Sequence, residues 1–448
     1  MNNLRNLLST LDSSVITQHS SLLHSTQYSA LNMRILVITN HYPPHFIGGY
    51  ELGCKDVVER LEVRGHQIAV LTSTFGLARP EQSGSVYRWL ETSDTLEVNG
   101  SPTGLMRLFK KESINRKAFD RVCREFKPDL VYVWNAAKLS ISIALRAQEI
   151  GLPVSYFISD DWLTRWESDE FYSLRRKVPR RAHRRAMWKS IVAFLDASGV
   201  LPRDKLELGH VQFASDFLKR AALEASADVA DAAVIHWGVD LRKFSFNDRR
   251  RAPSKLLYVG QLTDHKGVGT ALEAFKLIAE QPRYNNLRLT IVGGPDYGDR
   301  FHRMASELHL GEKVRFTGLI QRDHLPAIYR DHDILLFPSA WDEPFSIALV
   351  EAMASGLAIV GTSTGGSSEI LEDEVNALVF PRSDAETCAS QVTRLLRDVS
   401  RFETLRRNAR ETVEGRFGIE KMVDRIELAL KKQIGTPAVA AAARAAKS

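Results

Sequence analysis

The sequence predicts an α/β protein built from two doubly wound parallel sheets. Two observations lead there: short β-branched apolar runs alternate with stretches of helical period, and the whole pattern starts again near residue 255. A third fits them. The opening strand of each half runs into a turn rich in Gly, Pro or polar residues, where ligands of such sheets bind.

The elements follow in order. Residues 33–39 (MRILVIT) form the first strand and close in a loop with Pro43, Pro44, Gly48 and Gly49. Helical spacing holds over 50–65, and a second strand follows at 67–72. Strands at 129–134 and 154–159 flank a helix over 139–149. Residues 255–260 (KLLYVG) open the second half, with a turn at Gly267 and a helix through Ala279. Further strands are expected at 287–292, 314–316, 333–338, 357–361 and 377–380. The charged, Pro-containing stretch 247–254 separates an N-terminal domain, 33–250, from a C-terminal domain, 251–415. Residues 416–434 form a helix expected to return to the first domain. The Ser-rich segment 1–32 is expected to be a poorly ordered extension, which makes Met33 a candidate start, and the Ala-rich 435–448 a tail.

Composition narrows the class. A chain of 448 residues, 44% hydrophobic and 25% charged, suits two or three soluble globular domains. No run of apolar residues is long enough for a membrane-spanning helix. Cys54, Cys123 and Cys388 lie too far apart for a disulfide framework or a metal cluster, which fits a reducing cytoplasm. A net charge of +6 favours anionic partners.

The chemistry concentrates in 341–366 (WDEPFSIALVEAMASGLAIVGTSTGG). Pro344 suits a helix start, 345–355 reads as helix, and Gly356 ends it. Glu343 then precedes the helix and Glu351 lies two turns inside it. Between them the free amides of Phe345, Ser346 and Ile347 favour an anion. A molecule with hydroxyls at both ends and a diphosphate between them fits, and a sugar nucleotide is such a molecule. Taken alone, two glutamates at this spacing are most often solvated surface groups.

The wider context changes that. The segment resembles the family 4 glycosyltransferase signature, Glu-Pro-Phe-Gly followed by Glu-Ala-Met-Ala, with Ser346 in place of the usual Gly. VGQL with Lys266-Gly267-Val268, IVGGP (291–295), VRFTGLI (314–320), DILLFPS (333–339) and TGGSSEI (364–370) keep the family's order and spacing. HYPPHFIGGYE (41–51), RGHQIAVLT (64–72) and HWGVD (236–240) are similar to its other marks. The resemblance covers about residues 33–432 and implies the GT-B fold, two Rossmann-like domains facing across a cleft.

It also implies roles. Glu351 would hold the ribose hydroxyls, Glu343 would face hydroxyls of the donor sugar, and Lys266 would stabilise charge on the leaving diphosphate. Gly48 and Gly49 would let the backbone approach the diphosphate. Gln261, Phe316, Gly318, Pro344, Phe345, Ser346 and Ile347 complete the expected donor set. Three marks depart from the family: Gln261 stands for an Arg, Tyr132-Val133-Trp134 for His-x-His, and Ser159-Asp160 for His-Asp. Asp160 and Asp161 are therefore the acceptor-side candidates.

The implied reaction is retaining transfer of a hexosyl-type sugar from a UDP- or GDP-sugar to a glycan or lipid-linked glycan, as in cell-surface polysaccharide synthesis. Retention by double displacement needs a carboxylate nucleophile, and the sequence offers no convincing pair. The resemblance implies front-face departure instead, with a donor phosphate oxygen taking the acceptor proton. Asp331-His332-Asp333 matches the Asp-x-Asp metal signature superficially, but Asp333 opens an apolar strand; no metal or other cofactor is expected. Two alternatives remain, a sugar-nucleotide epimerase on the same fold and a non-catalytic sugar-nucleotide-binding protein. Nucleic acid is not an expected partner, since no reading motif appears. Residues 162–189 break the strand–helix rhythm. Eight cations, Arg175 to Lys189, fall within fifteen residues and are flanked by Trp162, Trp166 and Trp188. They are expected to attach the protein peripherally to an anionic membrane surface on the cytoplasmic face.

Overall fold

The computed structural model describes residues 32–92, 102–164, 182–197, 206–248 and 252–435. The expected N-terminal extension and C-terminal tail, and 165–181 of the basic run, lie outside them apart from single residues at the edges.

In chain order the elements are β1 (Arg34–Thr39), α1 (Gly49–Val63), β2 (Gln67–Ser73), β3 (Glu81–Ser83), β4 (Val86–Leu90), α2 (Pro102–Phe126), β5 (Leu130–Asn135), α3 (Ser142–Glu149) and β6 (Val154–Ile158). Next come α4 (Ala182–Ala197), β7 (Val211–Phe213), α5 (Asp216–Glu224), β8 (Ala233–Val234), β9 (Lys255–Val259), α6 (Val268–Ala279), β10 (Arg288–Val292), α7 (Arg300–Glu307) and β11 (Val314–Gly318). The chain closes with α8 (Leu325–Asp331), β12 (Ile334–Phe337), α9 (Ile347–Ser355), β13 (Ala358–Gly361), β14 (Leu378–Val379), α10 (Ala385–Arg397), α11 (Val399–Arg416) and α12 (Ile419–Ile434).

The chain divides into two compact units, cut within β6 and α12. Unit 1 holds residues through Tyr156, the segment up to His210, and everything from Arg425. Its strands run β3-β4-β2-β1-β5-β6, all parallel except the β3–β4 hairpin. Both faces of this sheet are covered. Ile35 to Ile38 and Leu130 to Trp134 are at most 1% exposed, which is why these strands read as continuous apolar runs rather than alternating ones. The end of α12 is fastened here: Glu427 pairs with Arg64 at 2.8 Å and His66 at 3.1 Å.

Unit 2 holds 157–166 and 211–424. Its main sheet is parallel in the order β11-β10-β9-β12-β13-β14. Leu256, Ile291, Leu336 and Val360 from the sheet pack with Leu272, Phe275, Val392 and Leu405 from helices in one core. The order in which strands are added reverses between the parallel neighbours β9 and β12, so the turn after β9 and the loop after β12 open side by side. That switch point is the binding crevice of such sheets.

Candidate active site

Everything after β12 turns on one cap. Ser346 has extended backbone angles (φ −111°, ψ 105°), and its Oγ accepts from the Leu349 amide at 3.4 Å. Helix α9 therefore begins at Ile347, two residues later than the sequence pattern predicts. A side-chain oxygen that satisfies the third helical amide fixes the start there. The consequence is chemical. Phe345 and Ser346 are 8% and 7% exposed, and among the described residues their amides donate to no protein acceptor. Buried N–H groups without partners are costly, and an anion at the helix start would satisfy them.

The turn after β9 brings the cation. Gly267 is left-handed (φ +75°), and a Cβ there would lie 1.9 Å from the Pro338 carbonyl oxygen. Only glycine lets this turn press against the end of β12. The contact is sealed by the Ala340 amide donating to His265 O at 2.9 Å. Lys266 then reaches Glu343, with Nζ 2.9 Å from Oε1 and 2.8 Å from Oε2, and lies 5.5 Å from the Trp341 ring centre. Ser339 Oγ donates to the same Oε1 at 2.7 Å. Glu343 is only 4% exposed. Its backbone is clamped from behind by the Gly366 amide on its carbonyl, and Cβ atoms at Gly365 and Gly366 would collide with this backbone.

Glu351 lies inside α9 and is 4% exposed; Tyr329 OH donates to its Oε2 at 3.2 Å, and Arg322 stands 4.0 Å from its Oε1. Burial, and then the Glu351 charge, push the Tyr329 phenol well above its ordinary range, so it stays a donor. Pro344 offers its carbonyl to Ser215 Oγ at 2.5 Å. Phe345 packs its ring against His236 and Phe417, each 5.8 Å away. Ile347 is the first residue of α9.

The other expected donor residues lie at the ends of neighbouring strands. Gln261 is exposed just after β9, its carbonyl accepting from Tyr258 OH at 2.9 Å. Phe316 stacks on His302 at 4.0 Å, and Gly318 ends β11 with φ +70°. Asp160 Oδ1 caps the Trp162 amide at 3.2 Å, while the Asp161 carbonyl takes the Thr164 amide and hydroxyl. Gly48 and Gly49 belong to unit 1. Gly48 is the N-cap of α1, and the Glu51 carboxylate takes the amides of Ile47 and Gly48 at 3.1 and 3.0 Å.

Sequence reasoning left several participants unread. Tyr329, Ser339 and Ser215 carry no local mark of their tertiary partners. Glu51 was readable in principle, because G-x-x-E spacing at a helix start is a capping pattern. The Asp-x-Asp lookalike is occupied structurally: Asp333 Oδ2 takes the amides of Ser254 and Lys255, and Asp331 pairs with Lys255 Nζ at 2.8 Å. Trp162 and Trp188, expected at a membrane surface, are instead 8% and 6% exposed, their indoles packed inward. Arg185 and Lys189 of the basic run are exposed. No helix among the described residues is long and apolar enough to cross a membrane.

Comparison with known proteins gives the family. The family model for group 1 glycosyl transferases matches residues 242–412, and that for a glycosyl transferase 4-like domain matches 48–197. An uncharacterized glycosyltransferase, MJ1607 of Methanocaldococcus jannaschii, is 24% identical over 86% of this chain and 94% of its own length. The amylovoran biosynthesis glycosyltransferase AmsK of Erwinia amylovora is 29% identical over 41% of this chain and 46% of its own. Anabaena HepE, solved with UDP-glucose, superposes with a TM-score of 0.64 at 18% identity, covering 90% of this chain and all of HepE. The fold is GT-B, and the chain belongs to the group 1, family 4 glycosyltransferases.

Proposed function

We propose that this glycosyltransferase moves a hexosyl-type sugar, with retention, from a nucleoside-diphosphate sugar to a glycan or lipid-linked glycan. One observation carries the reading: the paired Lys266 and Glu343 lie in the same loop cluster as the buried residues Phe345 and Ser346, whose amides find no acceptor among the described residues. Lys266 exchanges its carboxylate partner for the donor diphosphate, and the freed Glu343 turns to sugar hydroxyls. As the glycosyl–oxygen bond breaks, charge builds on the departing phosphate, where Lys266 and the amides of Phe345 and Ser346 oppose it. The acceptor oxygen forms the new bond on the same face and passes its proton to that phosphate oxygen. Lys266 and the two amides supply the stabilisation in place of a metal. Ribose hydroxyls bind Glu351, whose geometry Tyr329 holds.

HepE in complex with UDP-glucose supports a uridine donor, and AmsK supports polysaccharide synthesis as the setting. The exposed cations of α4 belong to the basic run 175–189, for which we keep peripheral attachment to an anionic cytoplasmic leaflet. Co-sedimentation with anionic vesicles at low salt, lost when the six arginines are neutralised, tests that part.

The reaction is tested by incubating the protein with UDP- and GDP-sugars and candidate acceptors in EDTA, and reading the product anomer by NMR. Turnover in EDTA with the donor's anomeric configuration supports the proposal. A metal requirement, an inverted product, or epimerised donor without acceptor refutes it.

A further inference from the structure

The loop that offers amides to the donor begins with a residue that has none. Pro344 lacks an N–H, so the first donor after Glu343 is Phe345. In a trans peptide the carbonyl and the following N–H point in opposite directions. Whatever holds Pro344 O therefore sets where Phe345 N–H points. Ser215 Oγ holds it, at 2.5 Å.

Ser215 is itself fixed. It is the N-cap of α5 with extended backbone angles, and its Oγ accepts from the Leu218 amide at 3.2 Å. A hydroxyl has one proton, which is left for Pro344. The start of α5 is tied down by Glu369, which takes the amides of Asp216 and Phe217 at 3.0 and 2.9 Å and lies 2.7 Å from His236 Nε2. Glu369 sits in the same turn as Gly366, whose amide holds the Glu343 carbonyl. Two consecutive carbonyls of the loop, Glu343 and Pro344, are thus anchored to one bracket.

We propose that Ser215 is a positioning residue for transfer: by holding the Pro344 carbonyl, its hydroxyl aims Phe345 N–H at the phosphate oxygen on which charge builds. This rests on the donor reading given above. A capping serine alone would matter only for folding, and the variants separate the two roles. Ser215→Gly removes the hydroxyl, yet glycine is itself a tolerated N-cap. Ser215→Thr keeps both the cap and the donor.

The test is steady-state kinetics with the wild-type donor, alongside thermal melts. Ser215→Gly is expected to lose about tenfold or more in kcat, because the misaimed amide matters most in the transition state. Its donor KM should stay within about threefold and its Tm within about 4 °C, since a glycine cap costs little and the hydrogen bond lost at Pro344 is worth about 1 kcal/mol. Ser215→Thr should return kcat to within about twofold of wild type. Wild-type kcat in Ser215→Gly overturns the inference, as does a loss of kcat accompanied by a rise in KM and a fall in Tm that Thr does not rescue. If the wild type itself neither binds UDP or GDP nor turns over their sugars, the donor reading has failed and this inference falls with it.

Discussion

Two helix starts in this molecule follow a tight loop after a buried strand, and they treat charge in opposite ways. In unit 1, α1 begins at a Gly-Gly pair, but the neighbouring amides of Ile47 and Gly48 are already taken by Glu51, the helix's own carboxylate. In unit 2, the loop entering α9 leaves the amides of Phe345 and Ser346 without acceptors among the described residues, while its carboxylate, Glu343, is turned away onto Lys266. The glycines differ likewise. At Gly48 an added Cβ would meet nothing closer than 3.5 Å, whereas at Gly267 and Gly366 it would sit 1.9 and 2.2 Å from backbone oxygens. The lesson is that a Gly-Gly pair does not by itself make an anion site. What matters is whether the protein has already neutralised the amides.

Substitution at the two sets of glycines should give the largest contrast. Gly267→Ala forces a collision at a left-handed position and is expected to cost about 2–4 kcal/mol of stability and abolish transfer. Gly48→Ala should cost under about 1 kcal/mol, because its backbone is extended and space is present. Chemical denaturation of both variants checks this, and equal losses would erase the comparison. Next in size is Lys266→Ala, which should lower kcat about 100-fold with a smaller change in donor KM. Tyr329→Phe should raise donor KM several-fold, about 1 kcal/mol for the hydrogen bond that orients Glu351, and leave kcat close to wild type. Steady-state kinetics reads both.

The smallest effect concerns Glu51 itself. Burial raises its carboxyl above the ordinary range, outweighing its bonds to the loop amides. A carboxyl whose folded pKa is raised withdraws stability as pH climbs past its unfolded value of about 4.3. Glu51→Gln lacks that dependence, so the variant should gain on the wild type in Tm as pH rises above about 4. A variant that loses ground over this range would contradict the account of α1.

Much of this architecture is legible in the sequence, for a physical reason. Strands buried on both faces, such as β1, β5 and β12, are continuous apolar runs that no surface pattern interrupts. The β3–β4 hairpin escapes notice because Glu81, Gln82 and Ser83 are all exposed and carry no alternation. The start of α9 is displaced because a serine at the signature position caps the helix instead of entering it. The charged members of the donor loop are visible as a motif, yet the groups that orient them are not. Ser215 precedes Pro344 by 129 residues and Ser339 is one serine among many, so only the fold reveals their partners.

The central claim, that the open helix start and Lys266 of unit 2 form a diphosphate site, is tested most directly by calorimetric titration with UDP and with GDP in EDTA. The account predicts saturable binding of at least one of them to the wild-type protein, weakened about tenfold or more in Lys266→Ala, the loss of one charge-assisted contact. Absence of binding by either nucleotide, or equal affinity in the wild type and Lys266→Ala, would contradict it.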